Sequence, residues 1–216
     1  MATILVYNQD TGKIERYEKN LNEAMPYVTG NSLTVREFRS NSNSDILWTT
    51  KAYMQAWNKF RSMWGRNIYV GYAFKRIWQG GHTGMSQHYA GLAMDIAQNL
   101  DNATRNRLRN LAIDSNLFTY VEPKVLTPTW VHIDKRYGTP ACPTGGYPLV
   151  KRGSKGVYVM VLQDALNYLG YNAGSIDGIF GTNTRNAVRR YQASVGLSQD
   201  GIVGCNTWRS ITNRFK

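Results

Sequence analysis

Cysteine is scarce: the 216 residues hold only Cys142 and Cys205, with no CxxC spacing. Two cysteines so placed in a chain of this length read as free thiols rather than as a disulfide framework. Acidic residues are few as well, 14 Asp and Glu against 26 Lys and Arg. Long apolar runs are missing. The best of them, 157–162, falls far short of the roughly 18 to 20 residues needed to cross a bilayer, so no membrane span is expected. The first twenty residues, MATILVYNQDTGKIERYEKN, have neither a basic start nor an uninterrupted apolar core. They read as ordered chain, a short β-hairpin around Asp10-Thr11-Gly12 within residues 1–25, and not as a secretory signal. With 42% hydrophobic residues there is enough apolar surface for one large domain or two small ones, which excludes disorder throughout.

The net charge of +12 favours a polyanionic partner such as nucleic acid, anionic lipid or an acidic bacterial wall. The basic residues are spread along the chain without basic blocks or interleaved aromatics, which argues against nucleic acid.

Segment 138–148 packs three Pro and three Gly into about a dozen residues and cannot continue a helix or a central strand, so it reads as a linker. It divides the chain into residues 1–137 and 149–216. Beyond it, Asp177-Gly178-Ile179-Phe180-Gly181-Thr182-Asn183-Thr184 recurs as Asp200-Gly201-Ile202-Val203-Gly204-Cys205-Asn206-Thr207. In each copy Asp-Gly supplies a tight turn, the next apolar residue plugs a core, and an Asn or Thr caps the following helix. Helices are predicted over 156–169, 183–195 and from 207 to the end, the first with Val157, Val161, Leu162, Ala165, Leu166 and Leu169 at helical spacing. Through Lys151-Arg152-Gly153-Ser154-Lys155-Gly156, Val161-Leu162-Gln163-Asp164-Ala165-Leu166-Asn167, Leu169-Gly170-Tyr171 and the two Asp-Gly turns, segment 149–212 resembles the three-helix peptidoglycan-binding domain attached to many wall hydrolases. The resemblance implies an all-α unit that binds bacterial peptidoglycan without catalysis.

Histidine is also scarce: His82, His88 and His132 are the only three, and all lie upstream. Ser86-Gln87-His88-Tyr89-Ala90-Gly91-Leu92-Ala93-Met94-Asp95 places an imidazole and a carboxylate seven residues apart across small residues, which suits a tight turn followed by a strand that returns the Asp beside the His. Trp130-Val131-His132-Ile133-Asp134 alternates in strand fashion and puts His132 and Asp134 on one face. Two His and one carboxylate form a three-ligand zinc set with a fourth position open to water, whose pKa zinc lowers toward 7. Asp95 as a strand-end hydrogen-bond acceptor and His132 as a buried donor are the duller readings of the same residues.

The pattern S-x-H-x-x-G-x-A-x-D at 86–95, followed by W-x-H at 130–132, is similar to the zinc D-alanyl-D-alanine carboxypeptidase and L-alanyl-D-glutamate endopeptidase family, whose fold is shared with the hedgehog signalling domain. The similarity runs over 33–136. It implies Zn2+ held by His88, Asp95 and His132, and an α+β fold whose small antiparallel sheet carries the ligands and packs on helices. A helix read at 50–64, with Met54, Trp57, Phe60, Arg61 and Trp64, would be one of these. Many members carry a glutamate three residues before the last ligand, where this chain has Thr129; others use a histidine two before it, here Trp130. Asp134 is the first candidate for the general base and Glu122 the second, and Asp134 equally suits orienting His132. Relatives also carry an oxyanion-stabilising Arg in a segment that here reads Val70-Gly71-Tyr72-Ala73-Phe74-Lys75-Arg76, so that charge is assigned to Arg76, Lys75 or His82.

The two resemblances together imply a monomeric peptidoglycan hydrolase of the endolysin or autolysin type, cutting an amide of the wall stem peptide with zinc-activated water. Without a leader, it would be made in the cytoplasm and reach the wall after holin-type release or lysis. The alternative is a noncatalytic wall-binding protein with a structural zinc site.

Overall fold

Alternating apolar residues in ATILVYN build β1 (Ala2–Asn8), with Ile4 and Val6 fully buried, and the chain turns through Gly12 into antiparallel β2 (Lys13–Lys19). The computed structural model describes residues 1–82 and 84–215. A short helix, α1 (Val35–Arg39), starts at a capping box in which Thr34 and Glu37 satisfy each other's backbone N–H groups. It leads to β3 (Ile46–Thr50), which joins β1 in parallel, so the N-terminal hairpin belongs to a three-stranded sheet of order β2-β1-β3. β3 passes directly into α2 (Lys51–Trp64), where the Thr50 hydroxyl caps the Tyr53 N–H and left-handed Gly65 ends the helix. Met54, Trp57 and Phe60 of its aromatic stripe are fully buried, whereas Arg61 and Trp64 sit at the margin.

The second sheet is antiparallel throughout. Its strands are β4 (Val70–Tyr72), β5 (Ala93–Ile96), β6 (Tyr120–Val121) and β7 (Val131–Asp134), in the order β4-β5-β7-β6. Between β5 and β6 runs α3 (Asn102–Asp114), capped by Asp101. Its buried Arg109 donates to the carbonyls of Glu122, Thr127 and Trp130 and so fixes the loop between β6 and β7. The chain is thus mixed α/β, with two small sheets and six α-helices among the described residues.

The last three helices are α4 (Val157–Tyr168), α5 (Thr182–Ser194) and α6 (Cys205–Thr212). Every α4 residue from 157 to 166 is buried, which one bundle face cannot explain. α4 also packs against β3 and the single-turn helix at 77–79, so apolar side chains are needed all round it.

Two expectations about this region are corrected. The caps of α5 and α6 are Gly181 and Gly204, with no side-chain hydrogen bond, and not an Asn or Thr. The reason is a buried glutamine from the preceding helix. Gln163 donates to Asp177 Oδ1 (2.8 Å), the Ile179 carbonyl and Thr184 Oγ1, and accepts from Gly178 N; Gln192 does the same with Asp200 Oδ1 (2.8 Å), the Ile202 carbonyl, Thr207 Oγ1 and Gly201 N. The repeated threonines therefore brace the turns from inside the helix.

Cys142 and Cys205 are also not free thiols but form a disulfide. The loop 138–148 that carries Cys142 is closed on itself by a Pro140–Pro148 bridge and an Ala141 N–H bond to the Tyr147 carbonyl. Tyr147 is fully buried, with its ring against Tyr158 of α4 and Trp208 of α6 and its hydroxyl on the Ser86 carbonyl. Segment 138–148 is therefore a packed strap across both parts of the chain, and one apolar core runs through them.

Candidate metal centre and the wall-binding domain

The four-stranded sheet sets the site by register. Asp95 on β5 lies directly opposite His132 on β7, and Ala93 opposite Asp134. The third member arrives through the turn before β5, where the Gln87 carbonyl accepts the N–H groups of both Ala90 and Leu92. Gly91 has φ +66° there, and a Cβ would stand 1.9 Å from the Trp48 carbonyl oxygen, so only glycine lets the turn lie so close to β3. The chain thereby doubles back and brings His88 Nε2 to 3.5 Å from Asp95 Oδ2.

His88 Nδ1 lies 2.6 Å from the Ala73 carbonyl oxygen, which can only accept, so Nδ1 carries a proton and Nε2 is the nitrogen that faces the cluster. His132 presents Nδ1 to Asp95 Oδ1 at 2.7 Å, while its Nε2 is 3.5 Å from Asp134 Oδ2. The ligand atoms of His88, Asp95 and His132 all lie within 4.8 Å of one another, and these residues could hold a metal ion. Both imidazoles have their far nitrogen engaged, His88 by a carbonyl and His132 by a carboxylate, the outer-shell pattern that fixes ring orientation at metal sites.

Charge is concentrated here. Burial works to raise the Asp95 carboxyl, but hydrogen bonds to His132 and His88 hold it well below the usual carboxylate range. Burial likewise disfavours a charged His132, yet Asp134 and Asp95 on its two nitrogens carry it up to about 9. Asp134 is fully buried and is gripped by Arg136 through Nε (2.9 Å) and Nη2; burial opposes its ionisation, and His132 and Arg136 reverse that and lower its pKa.

A cavity of about 250 Å³ opens beside the cluster, and among its walls are His132, Glu122, Asp134, His82, Arg136 and Gln87. Glu122 follows β6 and pairs its N–H with the His132 carbonyl, which sets its side chain on the cavity wall. The His82 ring stacks on His88 at 4.6 Å between centroids and touches Tyr72 and Tyr89. Burial and the neighbouring His88 push its pKa down to about 4, so near neutral pH it offers an N–H donor but no charge. Arg76 goes elsewhere: its guanidinium pairs with Asp164 on α4, donates to Ser44 Oγ and lies over Trp48 and Trp78. Of the eight residues read from sequence, the structure gathers six, turns Arg76 away and leaves Lys75 out of the cavity lining. The cation on the cavity wall is Arg136, over the Tyr120 ring at 4.8 Å. Its signal was the continued alternation His132, Asp134, Arg136.

Residues 155–211 match the family model of the peptidoglycan-binding domain. This part of the chain is a peptidoglycan-binding domain. Relatives of the chain are named as wall-lytic proteins. It is 37% identical over 68 residues to a spore cortex-lytic enzyme of Bacillus cereus, an alignment covering 32% of this chain and 26% of that enzyme. It is 47% identical over 53 residues to an N-acetylmuramoyl-L-alanine amidase of Mycobacterium tuberculosis, covering 24% and 13%. The crystal structure of a Burkholderia AP3 phage endolysin aligns at 39% identity over 31% of this chain and 25% of that one, with a TM-score of 0.30. The chain thus spans about a quarter of the length of the first of these curated relatives. His88, Asp95 and His132 lie outside the residues that the peptidoglycan-binding family model matches.

Proposed function

We propose that the chain is a zinc-dependent peptidoglycan hydrolase that cuts an amide of the wall stem peptide. The observation that carries this reading is the convergence of His88, Asp95 and His132 beside a cavity, in the same chain as a peptidoglycan-binding domain. Two imidazoles and one carboxylate suit zinc and leave a fourth position for a reactant. When bound, zinc supplies Lewis-acid chemistry, polarising a carbonyl and lowering the pKa of water.

The chain's own residues supply the rest. Glu122 is the carboxylate that accepts the proton from the attacking water, because it lines the cavity and, among the described residues, is not locked by partners as Asp134 is. This reverses the order of candidates read from sequence. Asp134 instead orients His132 through Nε2 and is itself held by Arg136. His82 offers a neutral hydrogen-bond donor at the cavity wall. The peptidoglycan-binding domain keeps the enzyme on its substrate and raises local concentration, and the net charge of +12 favours approach to an anionic wall. The disulfide fits work outside the reducing cytoplasm.

The test is digestion of purified sacculi by the zinc-loaded protein and by His88→Ala, with fragments identified by mass spectrometry and new amino termini labelled. Release by the wild type, with binding but no release by the variant, is the expected result and identifies the bond. Equal binding and no release by either, across wall chemotypes, replaces this reading with a noncatalytic wall-binding protein.

A further inference from the structure

Gln87 stands next to the ligand His88, is only 5% exposed, and lines the cavity. Its backbone carbonyl closes the turn that delivers His88, so the residue is fixed at its root. Its side chain is half satisfied. Oε1 accepts the hydroxyl proton of Tyr158 (3.1 Å), whereas Nε2 is buried and has no hydrogen-bond partner among the described residues. Leaving a buried amide N–H unmatched is costly, and such a donor in a native site needs an explanation.

Tyr158 determines which end of the amide is left free. Its oxygen accepts the Tyr137 N–H, so its single proton is available to Gln87, and a hydroxyl that donates must meet Oε1 rather than the NH2 group. The Tyr158 ring is clamped between Tyr137 and Tyr147 and is 2% exposed, so this setting is rigid. Tyr158 sits in α4, inside the peptidoglycan-binding domain.

We propose that Gln87 Nε2 donates a hydrogen bond to the reacting carbonyl oxygen of the stem peptide, and that Tyr158 is the positioning residue that aims it. The peptidoglycan-binding domain is then part of the catalytic site and not only a tether. The inference rests on the reading of the site as a stem-peptide hydrolase. It also supplies the oxyanion donor that Arg76, occupied by Asp164, does not.

The test uses the zinc-loaded full chain and a soluble muropeptide bearing a pentapeptide stem, so that wall tethering has no influence on rate. Gln87→Glu keeps the acceptor for Tyr158 and replaces the donor. It is expected to lower kcat by roughly 10²- to 10³-fold, as loss of one oxyanion donor does, with zinc content and sacculus binding unchanged. Tyr158→Phe keeps the ring stack and is expected to lose a smaller factor, and the double variant to be no slower than Gln87→Glu alone. In a zinc-loaded Glu122→Gln background, which holds the peptide uncleaved, the side-chain NH2 resonance of Gln87 is expected to shift on peptide addition. Wild-type kcat in Gln87→Glu, an effect on KM alone, multiplicative losses in the double variant, or an unresponsive Gln87 resonance would each overturn the proposal. If the wild type cleaves nothing while the resonance still responds, the hydrolase reading fails and the peptide contact stands.

Discussion

Arg76 and Asp164, 88 residues apart, form a buried ion pair that ties the segment following β4 to α4. Trp78 Nε1 donates to the same carboxylate (3.2 Å), and Ser44 Oγ accepts from the guanidinium (2.9 Å). With Asp164 2% exposed, removing one partner strands a charge. Asp164→Ala is expected to cost roughly 3–5 kcal/mol, while Arg76→Met combined with Asp164→Leu costs less than either single loss because no charge is then buried alone. Urea unfolding of the wild type, the two single variants and the double variant checks both statements. A double variant as unstable as the sum of the singles would refute the pairing.

Metal uptake is expected to depend steeply on pH. Without metal, His132 is protonated up to about 9 because Asp134 and Asp95 overcome the cost of burying its charge. A raised histidine pKa stabilises the metal-free protein fully below the unfolded value near 6.5, and that stabilisation disappears as pH rises through 9. Binding a metal at Nδ1 requires the neutral ring, so zinc uptake at pH 7 expels a proton and the affinity falls as pH is lowered. Calorimetry in buffers of different ionisation enthalpy counts that proton. Asp134→Asn, which weakens one of the two attractions, is expected to release fewer protons.

Glu122 and Asp134 separate in the same assays. Glu122→Gln is expected to lower the rate on sacculi by about 10²- to 10⁴-fold, the range for loss of a general base, at unchanged zinc content. Asp134→Asn loosens His132 and is expected to weaken zinc affinity by about 10- to 100-fold, with activity partly restored by excess zinc. A Glu122→Gln variant that digests wall normally would remove it as the base.

The meeting of His88, Asp95 and His132 and the helical repeat were legible in the sequence because each is carried locally, the first by a tight turn and an alternating strand, the second by two copies of one turn. What was not legible is long-range. Gln163 and Gln192 look like ordinary helical residues until the turns fold back onto them, and their bonds displace the expected Asn and Thr caps. Arg76 looked like an oxyanion cation because nothing in its neighbourhood announces Asp164. Proline and glycine at 138–148 rightly exclude helix and strand, but they do not exclude a packed strap, whose anchor is Tyr147.

The disulfide was missed for the same reason, since 63 residues separate Cys142 from Cys205 and sequence spacing does not reveal that the strap returns to the start of α6. That separation also sets what the bond is worth. Cross-linking a loop of this length removes enough freedom from the unfolded chain to stabilise the fold by about 4 kcal/mol. The strap holds Gly146 on the cavity wall and Tyr147 on the Ser86 carbonyl, so its loosening reaches the site as well as the global fold. Cys142→Ser/Cys205→Ser is therefore expected to lose about that amount in urea unfolding, and dithiothreitol to bring the wild type to the same midpoint without moving the variant. A wild-type midpoint indifferent to reductant would mean that the cross-link does not form in solution, and the strap would then rest on Tyr147 and on the bonds that Trp208 and Arg209 make to Pro148 and Thr144.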